Sequence, residues 1–343
     1  MAAFVQESYP QRVLRDMNEA VLVLDRQGCI LYANQPATRM LEMGANYVPG
    51  ETRFGMNYDE KYNDEFYACV TDALFHKRED IVQTVPYMTA SGRKYVFRMS
   101  SSYLADGPGH LVITLADETE TMRLRERITE STHTFTMFLY AFCVWMIFYA
   151  FWVFMGKPFA AKHMTRGVEV LGLLMFVYIS LYTKLSWKDL GLAPRNMGKT
   201  LRTAAAVALC SVAFLFALKG VIRLFKPDAF SPEAPFWDIR LFGLPQIAYI
   251  FTAGIQEFLA RSVMQGNLSR ILIGRHRAAS AIVLSSLIFA ALHIHLGFLF
   301  MVGAAILAGL EGILYKKQRS IYGVWIVHWV FGVTGTLLRL IDH

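Results

Sequence analysis

Residues 247–264 read IAYIFTAGIQEFLARSVM, an apolar stretch that carries Glu257 and Arg261. Placing an ionisable side chain at membrane depth costs roughly 2.5–3.5 kcal/mol, so such residues are usually retained for a function. An acid, a guanidinium and two imidazole rings that meet in one cavity would suit chemistry or the handling of protons and substrate. Two further apolar stretches supply the rings: His293 in Ala279–Leu296 and His328 in Ile321–Leu340.

The composition divides the chain into two parts. Of the 343 residues 55% are hydrophobic, and residues 134–343 hold nearly all the long apolar runs, whereas residues 1–133 carry charges throughout. This division predicts two domains, the second of them a polytopic membrane domain in contact with the lipid bilayer. The net charge of +7 is explained by basic loops beside apolar spans, so we expect no nucleic-acid partner.

The cysteines and the N-terminus indicate no further chemistry. Cys29, Cys69, Cys143 and Cys210 are widely spaced and form no CxxC motif, which predicts neither a disulfide framework nor a zinc site. The N-terminal stretch MAAFVQESYPQRVLRDM has no apolar h-region, so we expect no cleavable signal peptide.

The first part of the chain alternates short β-type runs with helical stretches. Its order is two strands, then helices, then three strands. The predicted strands are Ala20–Asp25, Cys29–Asn34, Ile81–Met88, Lys94–Tyr103 and His110–Ala116, and the predicted helices are Gln35–Met43 and Glu60–His76.

This order, with VLVLDRQGCILYAN at 21–34 and ADET at 116–119, resembles a PAS domain over residues 10–120. The resemblance implies an α+β sensor or dimerisation module whose sheet and helices enclose a small pocket. It also implies a PAS-mediated homodimer as a partner arrangement. The reactive cysteine motif of the light-sensing flavin members is absent here. The ligand stays open, and the alternative is a dimerisation domain that binds none.

A charged segment without Pro or Gly, TETMRLRERITEST at 119–132, predicts a helical linker over 121–133 that continues into the first span. Residues 134–343 then predict an all-α domain of about seven transmembrane helices, because each apolar run approaches or exceeds about 20 residues. The predicted spans are Phe135–Met155, Val168–Lys184, Leu201–Leu224, Leu241–Leu268, Ala279–Leu296, Gly297–Tyr315 and Ile321–Leu340.

Basic residues predict the orientation of these spans. They cluster within 123–127, 184–202, 270–277 and 316–319, and all four clusters lie on one side if the N-terminus is cytoplasmic. The loop 157–166 is also basic and would lie outside. We therefore expect an integral protein of a bacterial inner (plasma) membrane with its first domain in the cytoplasm.

The ionisable residues of the apolar stretches allow two kinds of chemistry. Glu257 and Arg261 are four residues apart, so they share a helix face and can pair. A carboxylate and imidazoles could activate water for attack on a carbonyl. His, His and Glu are also a common zinc set, although water activation requires no metal or other cofactor.

Three motifs follow one another in this order: QEFLAR at 256–261, FAALH at 289–293 and HWVFG at 328–332, with SWKDLGL upstream at 186–192. They resemble the EExxxR, FxxxH and HxxxN/D motifs of the CAAX-processing and bacteriocin-processing (CPBP, or Abi) family. The resemblance covers roughly residues 170–340. It implies a glutamate-dependent intramembrane endopeptidase in which His293 helps to activate water or to stabilise the oxyanion.

Two positions depart from the family pattern. Gln256 stands where the family has its first Glu, usually the general base, and Gly332 stands where it has Asn or Asp. A glutamine accepts no proton at physiological pH, and loss of an oxyanion donor costs roughly 10²–10³ in rate. Either Glu257 is the working carboxylate, on a rotated or locally unwound helix, or catalysis is lost.

Together these features predict a PAS-regulated intramembrane endopeptidase that hydrolyses a membrane-embedded or lipidated peptide. Glu257 would activate water with His293 as its partner, and His328 would complete the site. Arg261 would hold Glu257 ionised, and Gln256 would orient water or substrate. The alternative is a non-catalytic membrane receptor or immunity-type protein that uses the same cavity to bind a partner.

Overall fold

A computed structural model of the chain describes residues 9–44, 47–55, 62–76, 82–104, 109–193, 196–231 and 234–341. The chain forms two compact units, Met1–Arg125 and Glu126–His343. This division falls inside the predicted linker 121–133, and the domain bounds 10–120 and 134–343 stay predictions.

The first unit contains a five-stranded antiparallel sheet with the strand order β2-β1-β5-β4-β3. The predicted order of two strands, helices and three strands is confirmed. The strands are β1 (Ala20–Leu24), β2 (Ile30–Ala33), β3 (Val82–Met88), β4 (Lys94–Tyr103) and β5 (Leu111–Asp117). The helices are α1 (Tyr9–Asp16), α2 (Gln35–Met40) and α3 (Asp64–His76).

Several of these bounds differ from the predicted ones. Strand β1 ends one residue earlier than predicted, β2 is one residue shorter at each end, and β5 lies one residue further along the chain. Helix α2 ends at Met40 rather than Met43, because Glu42 takes a left-handed φ of 51° that a helix cannot continue. Helix α3 begins at Asp64, and residues 60–61 of the predicted Glu60–His76 lie outside the described residues. Ile81 of the third predicted strand also lies outside them.

The PAS-like motif residues build the first hairpin. Asp25 Oδ1 accepts hydrogen bonds from the backbone N–H of Gln27 (2.9 Å) and of Cys29 (2.8 Å). Gly28 lies between them with φ +80°, a left-handed conformation that favours glycine. The DRQGC sequence therefore fixes the turn that joins β1 to β2.

Asn34 joins the sheet to two helices. Its side-chain oxygen accepts from the N–H of Val21 and of Ala37, both at 3.0 Å, and so caps the N-terminus of α2. Its amide donates to the carbonyls of Leu14 and Glu19, both at 2.9 Å. One buried side chain thus satisfies four backbone groups.

Aromatic side chains occupy the space between the sheet and α3, where the PAS resemblance places a ligand pocket. The ring of Phe66 lies 4.8 Å from that of Tyr87 and 6.2 Å from that of Phe97, measured between centroids. Phe66 and Phe97 are almost completely buried. Burial raises the pKa of the Tyr87 phenol well above its usual value, so this hydroxyl stays neutral in the core.

The second unit is helical. Its helices are α4 (Thr119–Phe154), α5 (Lys162–Tyr182), α6 (Met197–Phe225), α7 (Leu244–Glu257), α8 (Asn267–Ile271), α9 (Arg277–Leu292), α10 (Phe298–Gln318) and α11 (Ile321–Leu337). A π-helical segment, Phe258–Gly266, joins α7 directly to α8. Short 3-10 turns lie at Pro227–Ala229, Ile239–Leu241 and Ile294–Leu296. Helix α4 begins at Thr119, which confirms that the charged linker segment is helical and continues into the first apolar run.

Within the described residues, four helices are long and apolar enough to cross a membrane: α4, α5, α6 and α10. Helices α9 and α11 are shorter apolar helices of 16 and 17 residues, about 24–26 Å at 1.5 Å per residue. The predicted fifth span, Ala279–Leu296, is wrong at its end because α9 stops at Leu292 and a 3-10 turn follows. The count of about seven spans stays a prediction.

Removal of the Asn34 side chain tests whether its hydrogen bonds hold the sheet and the two helices of the first unit together. We expect Asn34→Ala to lower the free energy of unfolding by at least about 1–3 kcal/mol, because it leaves buried backbone groups without partners. Hydrogen exchange of the Val21 and Ala37 amides in the full chain measures the loss. Thr38→Ala is the control, since Thr38 makes an exposed hydrogen bond in the same helix. Equal protection in the two variants would contradict the assignment.

Candidate active site

The helix that carries QEFLAR changes its geometry at this motif. Pro245 lies in the first turn of α7, where a missing N–H is tolerated. The helix is α-helical up to Glu257 and π-helical over Phe258–Gly266, with all nine residues of that segment buried. A π-helix bonds residue i to i+5, so its turn is wider than the α-helical 3.6 residues. Residues four apart are therefore more nearly aligned on one face.

Three polar side chains use this alignment. Arg261 Nε donates to Glu257 Oε2 at 2.8 Å, and Arg261 Nη1 donates to Gln265 Oε1 at 3.0 Å. Glu257 and Arg261 are both 0% exposed. The predicted i,i+4 pair is confirmed, and Gln265 extends it by a further turn.

His328, from α11, approaches Glu257 from the other side. Its Nδ1 lies 2.8 Å from Glu257 Oε1, and its Nε2 lies 3.0 Å from the Tyr249 hydroxyl. An ionised carboxylate only accepts hydrogen bonds, so Nδ1 is the donor in this pair. In the neutral ring Nε2 is then the acceptor, and the Tyr249 O–H donates to it. Tyr249, His328 and Glu257 form a chain of hydrogen bonds between α7 and α11.

Glu311, from α10, is a second carboxylate in the cluster and was missed from the sequence. Its Oε2 lies 3.4 Å from Arg261 Nη2 and 3.6 Å from His328 Nδ1, and the residue is 2% exposed. The signal was present, because Glu311 stands in an apolar span as Glu257 does. In the same span the small residues Gly303 and Gly309 indicate close helix packing.

His293 ends α9 and lies beside the cluster rather than within it. Its Nδ1 is 2.8 Å from the Phe289 carbonyl and therefore donates to it, which leaves Nε2 as the acceptor in the neutral ring. The Phe289 ring contacts His293 (4.5 Å between centroids) and also His328 (6.0 Å). No hydrogen bond among the described residues joins His293 to Glu257, and the predicted partnership of these two residues in activating water stays a prediction. Both oxygens of Glu257 are bound elsewhere.

Gln256 is 4% exposed, and its side chain makes no hydrogen bond to the part of the chain that the structure describes. It precedes Glu257 by one residue, and neighbouring positions on an α-helix of 3.6 residues per turn point about 100° apart. Its role in orienting water or substrate stays a prediction.

Gly332 explains one departure from the family motif. A Cβ at this position would collide with Cε1 of Tyr249 and lie 3.0 Å from its hydroxyl oxygen. The bare backbone on α11 therefore makes room for the ring whose hydroxyl reaches His328. A phenolic O–H stands beside the motif histidine where the family has an Asn or Asp side chain four residues on.

The cluster can be read as a cation site. Glu257, Glu311 and His328 each offer one ligand atom, and these atoms lie within 4.8 Å of one another. The Arg261 guanidinium, however, already contacts both carboxylates and would repel a metal cation. We assign the cationic role in this cluster to Arg261.

Two families match the chain. Residues 8–117 match the PAS fold, and residues 239–334 match the family described as type II CAAX prenyl endopeptidase Rce1-like. The second match includes every residue of the cluster and His293. Both resemblances inferred from the sequence are confirmed: the chain joins a PAS domain to an Rce1-like CAAX protease domain. In general terms this supports an intramembrane protease linked to a PAS domain.

Solved structures resemble the N-terminal part at low identity. An RNA-binding light-oxygen-voltage receptor is 17% identical, with 36% of this chain and 37% of that chain covered and a TM-score of 0.29. The PAS domain of nitrogen regulation protein NR(II) from Vibrio parahaemolyticus is 20% identical, with 32% and 99% covered and a TM-score of 0.26. The Rhodobacter sphaeroides LOV protein is 13% identical, with 51% and 97% covered and a TM-score of 0.27. No curated protein matches the chain.

Restoring a side chain at position 332 tests the role of Gly332. We expect Gly332→Asn to destabilise the protein by about 1–3 kcal/mol, because the new side chain overpacks against Tyr249. Thermal unfolding in detergent measures the change. The change should be smaller when Tyr249→Ala is present as well, since the clash is then relieved.

The matched control for this substitution is Gly303→Ala on α10, where an added Cβ meets nothing within 4 Å. That variant should be as stable as the parent or gain up to about 1 kcal/mol from helix propensity. A Gly332→Asn protein as stable as Gly303→Ala would contradict the close approach of Tyr249.

Proposed function

We propose that this chain, a PAS domain joined to an Rce1-like CAAX protease domain, is a PAS-regulated intramembrane endopeptidase. The observation that carries the proposal is the buried cluster of Glu257, Arg261, Glu311 and His328, which lies inside the residues that match the protease family. Buried charges cost free energy unless each is paired, and a membrane protein that needed only packing would not retain four ionisable groups together.

The proposed substrate is a peptide embedded in the membrane or carried there by a lipid. The cluster lies on helices whose outer faces are rich in exposed apolar side chains, such as Phe251, Ile306 and Leu310. Its substrate must therefore reach it through an apolar environment. A CAAX sequence is named for the matching family, and nothing in this chain itself requires a prenylated tail. We place the protein in a bacterial inner membrane with the PAS domain in the cytoplasm, on the basis of the basic loops.

In this proposal the cluster activates water for attack on a peptide carbonyl. Arg261 and His328 hold Glu257 ionised in place through its two oxygens. His293 offers Nε2 as a hydrogen-bond acceptor for the water, because its Nδ1 is bound to the Phe289 carbonyl.

Regulation by the PAS domain is supported by contacts at the start of the second unit. Three residues of α4 contact the loop and helix near the π segment: Glu126 with Lys184 (2.6 Å), Arg127 with Asp189 (3.6 Å) and Ser131 with Arg270 (3.1 Å).

The loop SWKDLGL connects these residues to the π segment that carries Arg261. Arg270 donates to the Asp189 carbonyl, and Ser262 Oγ donates to the Leu190 carbonyl at 2.6 Å. Ser262 directly follows Arg261 in the π segment. Burial alone would raise the pKa of Asp189, but hydrogen bonds from Ser186 and the nearby charges of Arg270 and Arg127 bring this pKa below its usual value. Asp189 therefore keeps its negative charge. A displacement of α4 can reach the cluster through the hydrogen bonds that Arg270 and Ser262 donate to this loop.

A second candidate function is a non-catalytic receptor or immunity-type protein. Gln256 and Gly332 favour it, because both replace side chains that the family motifs supply for chemistry. The absence of proteolysis with retained binding of a membrane peptide would support this candidate.

Proteolysis in reconstituted membranes tests the peptidase proposal. We expect wild-type protein to cleave members of a library of membrane peptides, and His293→Ala and Glu257→Ala to lose activity by about 10²-fold or more. Mass spectrometry of the products gives the cleavage sites. The Lys317→Ala variant, with its change at an exposed position near the end of α10, serves as the control and should keep full activity. A wild type that cleaves nothing across the library, with PAS signal conditions varied, would contradict the proposal.

A double-mutant cycle tests the coupling between the PAS domain and the cluster. We expect Asn34→Ala, which loosens the PAS domain, to change the cleavage rate in the wild-type background but not in Arg270→Ala. Arg270 links α4 to the SWKDLGL loop, and allosteric coupling is typically about 1–3 kcal/mol, or 5–150-fold. Arg275→Ala, an exposed neighbouring arginine, is the control background and should preserve the effect. Equal effects of Asn34→Ala in all three backgrounds would refute this route.

A further inference from the structure

We propose that Glu311, from α10, is the carboxylate that activates water, in the role that Gln256 cannot fill. This assignment rests on the proposed peptidase function and gives Glu257 a different task. Glu257 becomes a positioning residue that fixes Arg261 and His328, and Glu311 becomes the catalytic base.

The two carboxylates of the cluster are bound unequally. Glu257 has a short hydrogen bond on each oxygen, to Arg261 and to His328, both at 2.8 Å. Glu311 has only longer contacts, 3.4 Å to Arg261 and 3.6 Å to His328, and both are made by its Oε2. Its Oε1 is buried and has no hydrogen-bond partner among the residues that the structure describes.

A carboxylate oxygen bound by a guanidinium and an imidazole is a poor proton acceptor, because both partners favour its ionised form. Leaving a buried oxygen without a partner costs free energy, and such groups in native proteins have an explanation such as catalysis or a bound water. Glu311 Oε1 therefore has both lone pairs unused, as a general base needs, whereas each oxygen of Glu257 already accepts a hydrogen bond, from Arg261 or from His328.

The backbone around Glu311 is built for close approach. A Cβ on the next residue, Gly312, would lie 3.1 Å from Arg261 Nη1 and 2.9 Å from Cγ2 of Ile282. The Gly312 carbonyl also accepts a hydrogen bond from Gln265 Nε2 at 2.8 Å. Helix α10 is thereby held against the π segment at the level where its carboxylate meets the cluster.

The proposed step is hydrolysis of a peptide bond. Glu311 Oε1 takes a proton from water while the water oxygen forms a bond to the carbonyl carbon, and the π electrons move to the carbonyl oxygen. When the C–N bond breaks, protonated Glu311 returns that proton to the leaving nitrogen. One peptide and one water become a carboxylic acid and an amine, and Glu311 ends as the carboxylate it was.

Kinetics of swapped variants in proteoliposomes test the assignment. We expect Glu311→Gln to lower kcat by about 10²–10⁴-fold, the usual contribution of a general base, with KM little changed. The double variant Gln256→Glu/Glu311→Gln should recover at least about tenfold over Glu311→Gln, because it returns a carboxylate to the first motif. Glu169→Gln is the matched control: Glu169 is a buried glutamate on α5 bound to Arg166 and Thr252, and it should keep the wild-type kcat.

A second measurement needs no substrate. Dicyclohexylcarbodiimide is an apolar reagent that modifies carboxyl groups within membranes, and peptide mass spectrometry locates the product. We expect modification of wild-type protein at Glu311 with Glu257 spared, because the Glu257 oxygens are held by Arg261 and His328. Modification at Glu257 alone, or at neither residue, would overturn the assignment.

The outcomes separate this assignment from the peptidase proposal. If wild type cleaves peptides and Glu311→Gln keeps its kcat, the assignment fails and the peptidase function stands. If Glu311→Gln is inactive and the double variant shows no recovery, Glu311 is a structural member of the cluster and the assignment also fails. If wild type cleaves nothing, the peptidase proposal fails and the assignment falls with it.

Discussion

Charges buried in apolar helices persist only when each has a partner, and the Glu257–Arg261 ion pair is the partnership on which the second unit depends. Both side chains are fully buried, so removal of Arg261 would leave two buried carboxylates, Glu257 and Glu311, without their shared guanidinium, at a cost of about 3–5 kcal/mol. Every other polar group in the cluster is arranged around this pair. His328 donates to Glu257 Oε1, the oxygen that Arg261 does not bind. Gln265 accepts from Arg261 Nη1. Glu311 places a second negative charge beside Nη2 of the same guanidinium.

The π-helical segment follows from the need to place these groups on one face. In an ordinary α-helix positions four apart turn progressively away from one another, whereas the wider turn of Phe258–Gly266 keeps Arg261 and Gln265 nearly in line with Glu257. The change of helix type begins at Phe258, directly after Glu257. The neighbouring helices adapt to it through bare backbone positions: Gly254 lies against the Trp325 ring, and Gly312 lies against Arg261.

Whether a contact of the site could be predicted depends on how far apart its two residues lie in the sequence. The Glu257–Arg261 pair follows from i,i+4 spacing, and the DRQGC turn follows from Asp and Gly, since both are local. The bond from His328 to Glu257 joins residues 71 positions apart, and only the fold could supply it. Glu311 has the same signal as Glu257, an acid in an apolar span. Its partner Arg261 lies 50 positions away, so no local spacing joins the two residues. The Tyr249 ring on α7 fits beside α11 only because Gly332 has no side chain. No spacing in the sequence predicts such a fit between two helices.

The two departures from the family motifs have the same form. At Gln256, near the end of α7, a carboxylate is missing, and α10 supplies a carboxylate as Glu311. At Gly332 a polar side chain is missing from α11, and a hydroxyl arrives from α7 as Tyr249, whose ring occupies the space that the glycine leaves. A site works through the groups that converge on it rather than through the helix that carries each one. Two losses, each matched by a group of suitable chemistry from a neighbouring helix, argue for a redistributed site rather than a decayed one. Decay would leave these two places in the site without any group of suitable chemistry from another helix.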